Sequence, residues 1–298
     1  MFLIDRYLLG EKVLLGATLL FFFAGGDLFA ARQPEGASRF ASVGEMRVHY
    51  TDYGKGDSVL LFVHGWNCDE SVWKNQVSAL ARKTRLITID LPGHGESDKP
   101  EIPYTMDLHA RAIDAVLRDA GAKSAILVGH SNGTPVIRQF YRRYREKVRA
   151  LVIVDGALRA FGNQAMMEKF IAPMRGRDYE QTAGRFINGM AGPMKDARQR
   201  EQIKTMMMRA PQHVAVSEME GLLDPALWEH DKIEVPVLMI LARQPAWTPE
   251  YKEFAHSLTP NLDYRTWDDV SHFVMMDKAG KFNNAVLVFL KKNKLTAK

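Results

Sequence analysis

Short apolar runs alternate with longer amphipathic segments along most of this chain. Five runs rich in Val, Ile and Leu occupy residues 59–63, 86–89, 125–128, 151–154 and 235–241. Strands that are apolar on both faces are typical of parallel sheets covered by helices on each side. Apolar positions recur with a helical period over residues 70–82, 105–120, 134–147, 249–258 and 281–292. The alternation predicts a doubly wound α/β fold.

A different pattern marks residues 45–50, where Met46, Val48 and Tyr50 alternate with polar residues. Period-two alternation is typical of a strand with one exposed face. We therefore expect an edge strand before the first apolar run.

The alternation is interrupted between residues 154 and 235, where no strand-like run occurs. A loop of that length without structure of its own would be implausible, and helical patterns recur at residues 164–171, 179–190 and 196–209. Nine of the fifteen methionines also fall in this interval. We predict a helical cap over residues 157–231, inserted into a core made of residues 41–156 and 232–298.

Residues 1–31 differ in composition from the rest of the chain. Arg6 and Lys12 precede an uncharged apolar stretch over residues 13–26, and a polar segment follows. This layout is typical of a secretory signal peptide, and 14 residues span only about 21 Å as a helix, short of the roughly 30 Å hydrocarbon core of a bilayer. The segment predicts export to the periplasm or the medium. An uncleaved N-terminal anchor that associates the protein with a membrane is the alternative, because acidic residues offset the positive flank and no clean cleavage motif is present.

Composition narrows the classes of function. Hydrophobic residues make up 46% of the chain and charged residues 25%. These percentages are typical of a globular protein and allow one sizeable core, or a core with a small appended subdomain. The net charge of +5 comes from scattered basic residues rather than an aromatic-flanked stripe, which argues against a nucleic-acid partner. The single cysteine, Cys68, excludes an intrachain disulfide.

The strongest chemical signal is a Gly-x-Ser-x-Gly pentapeptide at residues 129–133. It stands between an apolar run and a helical pattern, the context that makes this motif specific. In such a turn the glycines permit a close approach of the backbone, and the serine hydroxyl is lifted above the edge of the sheet. Ser131 is therefore the predicted nucleophile; the alternative is a Gly-Ser turn without chemistry.

With three further motifs, this turn resembles the α/β-hydrolase superfamily, specifically its capped esterase-like members. These motifs are His64-Gly65-Trp66 after the first run, the turn at residues 90–98 after the second, and Ser271-His272-Phe273 before the last helix. The resemblance covers residues 44–298 and implies a mostly parallel sheet of the eight-stranded type with helices on both faces. It also implies the chain order nucleophile, acid, histidine, which makes His272 the general base. The oxyanion would be stabilised by the backbone N–H groups of Trp66 and Asn132.

The acid departs from the commoner pattern of the superfamily. That pattern places an aspartate after the run at residues 235–241, but residues 242–249 contain no carboxylate. The run at residues 151–154 ends instead at Asp155, and some members of the superfamily place the acid there. We predict that Asp155 orients His272, with Glu250, at the start of a helix, as the alternative acid.

The resemblance implies hydrolysis of a carboxylic ester through an acyl-serine intermediate, with no metal or organic cofactor. Lactonases, amidases and carbon–carbon bond hydrolases use the same constellation, and a catalytically weak ligand-binding receptor of this fold is the alternative of another class. We expect an apolar pocket for a small to medium ester, lined by Trp66, Met166, Met167 and Met190. Packing within the core explains the methionines equally well.

Overall fold

The structure is a computed structural model that describes residues 35–160 and 162–295. One sheet contains the strands β1 (Ala37–Val43), β2 (Met46–Tyr53), β3 (Ser58–Val63), β4 (Leu86–Ile89), β5 (Ser124–His130), β6 (Val148–Val154), β7 (Val237–Ala242) and β8 (Leu262–Trp267). Their order across the sheet is β1-β2-β4-β3-β5-β6-β7-β8. The pairings of β1 with β2 and of β2 with β4 are antiparallel, and all others are parallel. The predicted eight-stranded, mostly parallel α/β fold is confirmed.

The helices follow the strands along the chain. They are α1 (Lys74–Leu80), α2 (Met106–Asp119), α3 (Gly133–Arg143), α4 (Gln164–Ile171), α5 (Tyr179–Ala191), α6 (Ala197–Met207), α7 (Gln212–Gly221), α8 (Pro249–Leu258), α9 (Val274–Asp277) and α10 (Ala279–Lys292). Helices α4 to α7 lie between β6 and β7, so the part of the chain between these strands is helical. Within the described ranges, no helix combines the length and apolar character needed to span a bilayer.

The central strands are buried on both faces because their side chains alternate between two apolar layers. In β3, Leu60 and Phe62 belong to the layer that contains α1 and α10, whereas Leu61 and Val63 belong to the layer that contains α2, α3 and α8. Each fully buried side chain of this kind contributes about 1.5–3 kcal/mol. This double burial holds the C-terminal ends of the strands in a fixed arrangement.

Four elements are absent from the sequence-based prediction: β1, β8, α7 and α9. Helix α9 has only four residues, too few for a helical period to show in the sequence. The strands β1 and β8 are the two edges of the sheet, and their residues are mostly exposed or half-buried, so neither shows an apolar run. The expectation of an edge strand at residues 45–50 is therefore wrong, because β2 is paired on both sides, with β1 and β4. In α7 the buried positions include a charged residue, Glu218, which interrupts the apolar period. The predicted N-terminal signal or anchor at residues 1–31 lies outside the described residues.

Candidate active site

The Gly-x-Ser-x-Gly turn connects β5 to α3 at the C-terminal edge of the sheet. Ser131 has a φ of 52°, a left-handed conformation that costs a non-glycine residue about 1–3 kcal/mol. Its backbone N–H donates to the carbonyl of Val154 at 2.9 Å, which fixes the turn to the end of β6. A Cβ on Gly129 would lie 2.5 Å from the carbonyl oxygen of Gly133. The turn therefore requires glycine at that position, and it holds Ser131 above the sheet.

His272 and Asp155 form a hydrogen-bonded pair beside this turn. Asp155 follows β6, and its Oδ2 lies 2.7 Å from Nδ1 of His272, which is in the loop after β8. The other carboxylate oxygen accepts from the backbone N–H of Ala242 at 2.8 Å. Asp155 is thus held at two points and buried. Because an ionised carboxylate only accepts, this geometry assigns the Nδ1 proton to His272 and leaves a lone pair on Nε2.

Nε2 of His272 has no hydrogen-bond partner among the described residues. It is not bonded to the Ser131 hydroxyl, although both residues line the same cavity. Catalytic hydrogen bonds are often long or misaligned before substrate binds and tighten in the Michaelis complex. Ser131 and His272 therefore lie at one cavity, and no described residue donates to Nε2 of His272.

Two loops with predicted oxyanion donors approach Ser131. A Cβ on Gly65 would lie 2.9 Å from Cβ of Ser131, so the loop after β3, which continues into Trp66, contacts Ser131. Asn132 directly precedes the first residue of α3, where backbone N–H groups have no intrahelical partner. The indole of Trp66 donates to the carbonyl of Ala215 in α7 at 2.9 Å. That bond ties the loop to the helices inserted between β6 and β7.

The cavity at Ser131 has a volume of about 390 Å³ and is mainly apolar. Asp155 is the one carboxylate among its described lining residues, and these include no lysine or arginine. The sulfur-containing lining residues are Cys68, Met167, Met190, Met207 and Met219. The aromatic lining residues are Trp66, Phe170, Phe186, Trp228, Trp247 and Phe273.

The prediction for Met166 is wrong. Its side chain is 62% exposed, and it does not line the cavity, whereas Met167 does. Consecutive residues of an α-helix point about 100° apart, at 3.6 residues per turn. That rotation turns Met166 toward solvent where Met167 faces the cavity.

Glu250, the alternative acid, is exposed, whereas His64, another histidine of the sequence motifs, is buried. Glu250 is exposed in the first turn of α8, and the Thr248 hydroxyl lowers the pKa of its carboxyl. His64 is buried, with Nδ1 2.9 Å from the carbonyl of Gly65 and Nε2 accepting from the N–H of Leu91 at 3.0 Å. Both of its ring nitrogens are used to fix the loops after β3 and β4.

Apart from Trp66, the aromatic wall was not predicted from the sequence. Phe170 and Phe186 come from α4 and α5, and Trp228 and Trp247 lie in segments flanking β7. No motif links these positions, because they meet only through the packing of the inserted helices. His130, the second residue of the pentapeptide, was also overlooked, although its place beside Ser131 was a usable signal.

Known proteins resemble the chain over most of its length. A family model described as the alpha/beta hydrolase fold matches residues 58–279. A 2-hydroxy-6-oxononadienedioate/2-hydroxy-6-oxononatrienedioate hydrolase of Burkholderia vietnamiensis is 26% identical over 83% of this chain and 92% of its own length. A thermophilic esterase from Thermogutta terrifontis has a TM-score of 0.73 at 22% identity, over 87% of this chain and 99% of that one. The enol-lactonase from Burkholderia xenovorans LB400 has a TM-score of 0.75 at 21% identity, over 85% of this chain and 100% of that one. The esterase and the enol-lactonase structures support the fold alone.

Proposed function

This chain belongs to the α/β-hydrolase fold family, and we propose that it is a serine hydrolase that cleaves small to medium, neutral apolar carboxylic esters. The observation that carries the proposal is the apolar cavity on which Ser131 and the His272–Asp155 pair open, with no lysine or arginine among its described lining residues.

The proposed reaction begins with the transfer of the Ser131 hydroxyl proton to Nε2 of His272. Oγ then attacks the ester carbonyl, and Asp155 stabilises the imidazolium through Nδ1. The N–H groups of Trp66 and Asn132 would stabilise the negative charge on the carbonyl oxygen. His272 returns the proton to the departing alkoxide, which leaves an acyl-serine, and the same groups then activate water to release the acid.

The cavity favours neutral substrates over dianions. The Burkholderia vietnamiensis relative is named for a dioate, which carries two carboxylates. Moving a carboxylate out of water into an apolar cavity without a paired charge costs several kcal/mol, and the described lining offers no cation. The cavity volume of about 390 Å³ is near the lower end of the usual range for ligand sites, roughly 300–1,000 Å³. A neutral ester of modest length fits these properties better than a dicarboxylate.

A matched pair of esters tests this substrate class. We expect kcat/KM for p-nitrophenyl butyrate to exceed that for the mono-p-nitrophenyl ester of succinic acid by about 100-fold or more, because only the second ester carries a carboxylate into the cavity. The two acyl chains are equal in length, and the leaving group is the same. Equal values, or a preference for the succinate ester, would contradict the proposal. A series of longer p-nitrophenyl esters, with lactones and amides beside it, would then define the range of substrates.

We further propose that residues 1–31 direct export, on the strength of the apolar stretch at residues 13–26. Edman sequencing of the protein recovered from periplasm or medium is expected to start beyond that stretch. An intact N-terminus in the membrane fraction would favour the uncleaved anchor instead. The full chain free in the cytosol would contradict both.

A further inference from the structure

His130 lies at the end of β5, directly before the nucleophile, and only 1% of its surface is exposed. Its Nε2 is 3.0 Å from the backbone carbonyl oxygen of His272. A carbonyl oxygen only accepts, so the geometry assigns a proton to Nε2 of His130, which donates to His272. Nδ1 of His130 is buried and has no partner among the described residues. The ring therefore makes one hydrogen bond, and it is directed at the residue that carries the base.

This bond holds the base from a second side. Asp155 fixes the imidazole of His272 through Nδ1, but a side-chain contact alone does not fix the backbone of the loop. The bond from His130 fixes that backbone to the residue preceding Ser131. A misplacement of about 1 Å between reacting groups lowers rates by roughly 100-fold, so the distance between nucleophile and base depends on contacts of this kind.

We propose that His130 is a positioning residue: its Nε2–H bond to the carbonyl of His272 sets the position of the base relative to Ser131. The proposal rests on the proposed function, in which His272 accepts the proton of Ser131. In this role His130 takes no part in the chemistry: among the described residues its ring is hydrogen-bonded to a backbone carbonyl, although the residue also lines the cavity. It acts through His272.

The charge of His130 is compatible with this role. Burial lowers the pKa of its imidazole well below the usual value, and the neighbouring His272 lowers it further. The two rings are 4.7 Å apart between centroids, so a charged His130 would oppose the imidazolium that forms on His272 during catalysis. A neutral ring keeps the hydrogen bond and adds no repulsion.

The competing explanation is packing. The ring of His130 also contacts Phe273, at 5.1 Å between centroids, and Trp73, at 6.3 Å. An aromatic residue of similar size would satisfy these contacts without donating a hydrogen bond. The two roles therefore make opposite demands on the side chain.

Two substitutions separate these roles. His130→Gln places an amide N–H at about the reach of Nε2 and removes the ring, whereas His130→Phe keeps a ring and removes the donor. If His130 positions the base, kcat on p-nitrophenyl butyrate should fall about 10- to 100-fold in His130→Phe and by no more than about 3-fold in His130→Gln, with KM nearly unchanged in both. The rate of labelling by a fluorophosphonate should follow kcat. Any other order of the two variants, or equal activity, would overturn the proposal.

Two further measurements protect this test. Thermal unfolding of both variants shows whether they fold. If either variant does not fold, ¹⁵N NMR of the wild-type histidines decides: the Nε2–H tautomer of His130 is expected near neutral pH, and the Nδ1–H tautomer or a charged ring would overturn the proposal.

Ser131→Ala distinguishes a failure of the positioning role of His130 from a failure of the proposed function. Loss of activity in Ser131→Ala with His130→Phe fully active would reject the positioning role alone, whereas activity in Ser131→Ala would reject the proposed function.

Discussion

Replacement of Ser131 by alanine is expected to lower kcat by about 10⁶-fold, the scale seen when the nucleophile of a serine-protease triad is removed. Without Oγ no acyl-enzyme forms, and His272 has no proton to accept. The turn should persist, because it is fixed by backbone bonds from Ser131 to Val154 and from Thr134 to Ser131 rather than by the hydroxyl. Hydrolysis of p-nitrophenyl butyrate measures the loss, and a thermal midpoint within a few degrees of wild type would show that the fold is intact.

Covalent labelling supplies the control for this variant. A fluorophosphonate should add one phosphonyl group to the wild-type protein at Ser131 and none to Ser131→Ala, as read by mass spectrometry of the intact chain. Ser78→Ala, in α1 and not among the described residues that line the cavity, should label like wild type. More than a few per cent of activity in Ser131→Ala would exclude a serine mechanism. Wild-type protein that fails to label would favour the ligand-binding alternative.

The interior of the sheet was predictable from sequence because burial on both faces leaves a continuous apolar run. The strands β3, β5, β6 and β7 all satisfy this condition, as their residues are nearly all buried. An edge strand such as β8 pairs on one side only, and its sequence LDYRTW contains no continuous apolar run. The edge strands β1 and β8 were not predicted because their weaker burial leaves a weaker pattern of apolar residues in the sequence.

The positions of Ser131 and Asp155 were also predictable, since parallel neighbours β5 and β6 end at the same edge of the sheet. Their backbone was not: both have positive φ, 52° and 45°, a conformation that neither residue type requires. Strain of this kind is held in place by the surrounding sheet and is common at functional sites.

The pocket wall could not be derived from the sequence. It depends on how α4 and α5 turn toward the sheet, and one step along α4 separates an exposed Met166 from a lining Met167. Hydrophobic character alone does not encode that rotation, because methionine packs equally well in a core or a pocket. Trp66 illustrates the same limit, since its indole bond to Ala215 joins residues far apart in the chain.

The acid is tested by Asp155→Asn, for which we expect kcat to fall by about 10⁴-fold, the loss in kcat measured for the same substitution in a serine protease. The reason lies in the two contacts of Asp155. One oxygen accepts from the N–H of Ala242, and the other accepts from Nδ1 of His272. In asparagine one of these atoms becomes an NH₂ group, which can only donate.

The orientation of that asparagine is determined by its neighbours. With the amide oxygen toward Ala242, the NH₂ group faces Nδ1 of His272 and requires a lone pair there. The imidazole proton then moves to Nε2, the nitrogen that must accept the proton of Ser131, and the base is lost. The reverse orientation would set the NH₂ group against the N–H of Ala242, two donors facing each other in a buried site, and is disfavoured.

Glu250→Gln is the matched control, with the same change from carboxylate to amide. It should alter kcat/KM by less than about 2-fold, because an exposed acid in the first turn of a helix affects stability by only about 0.3–1 kcal/mol. Both variants are compared by hydrolysis of p-nitrophenyl butyrate, by labelling rate and by thermal midpoint. A collapse in Glu250→Gln with Asp155→Asn active would transfer the acid to Glu250. Full activity in both would mean that His272 works without a carboxylate partner, and the hydrogen bond at 2.7 Å would then be structural only.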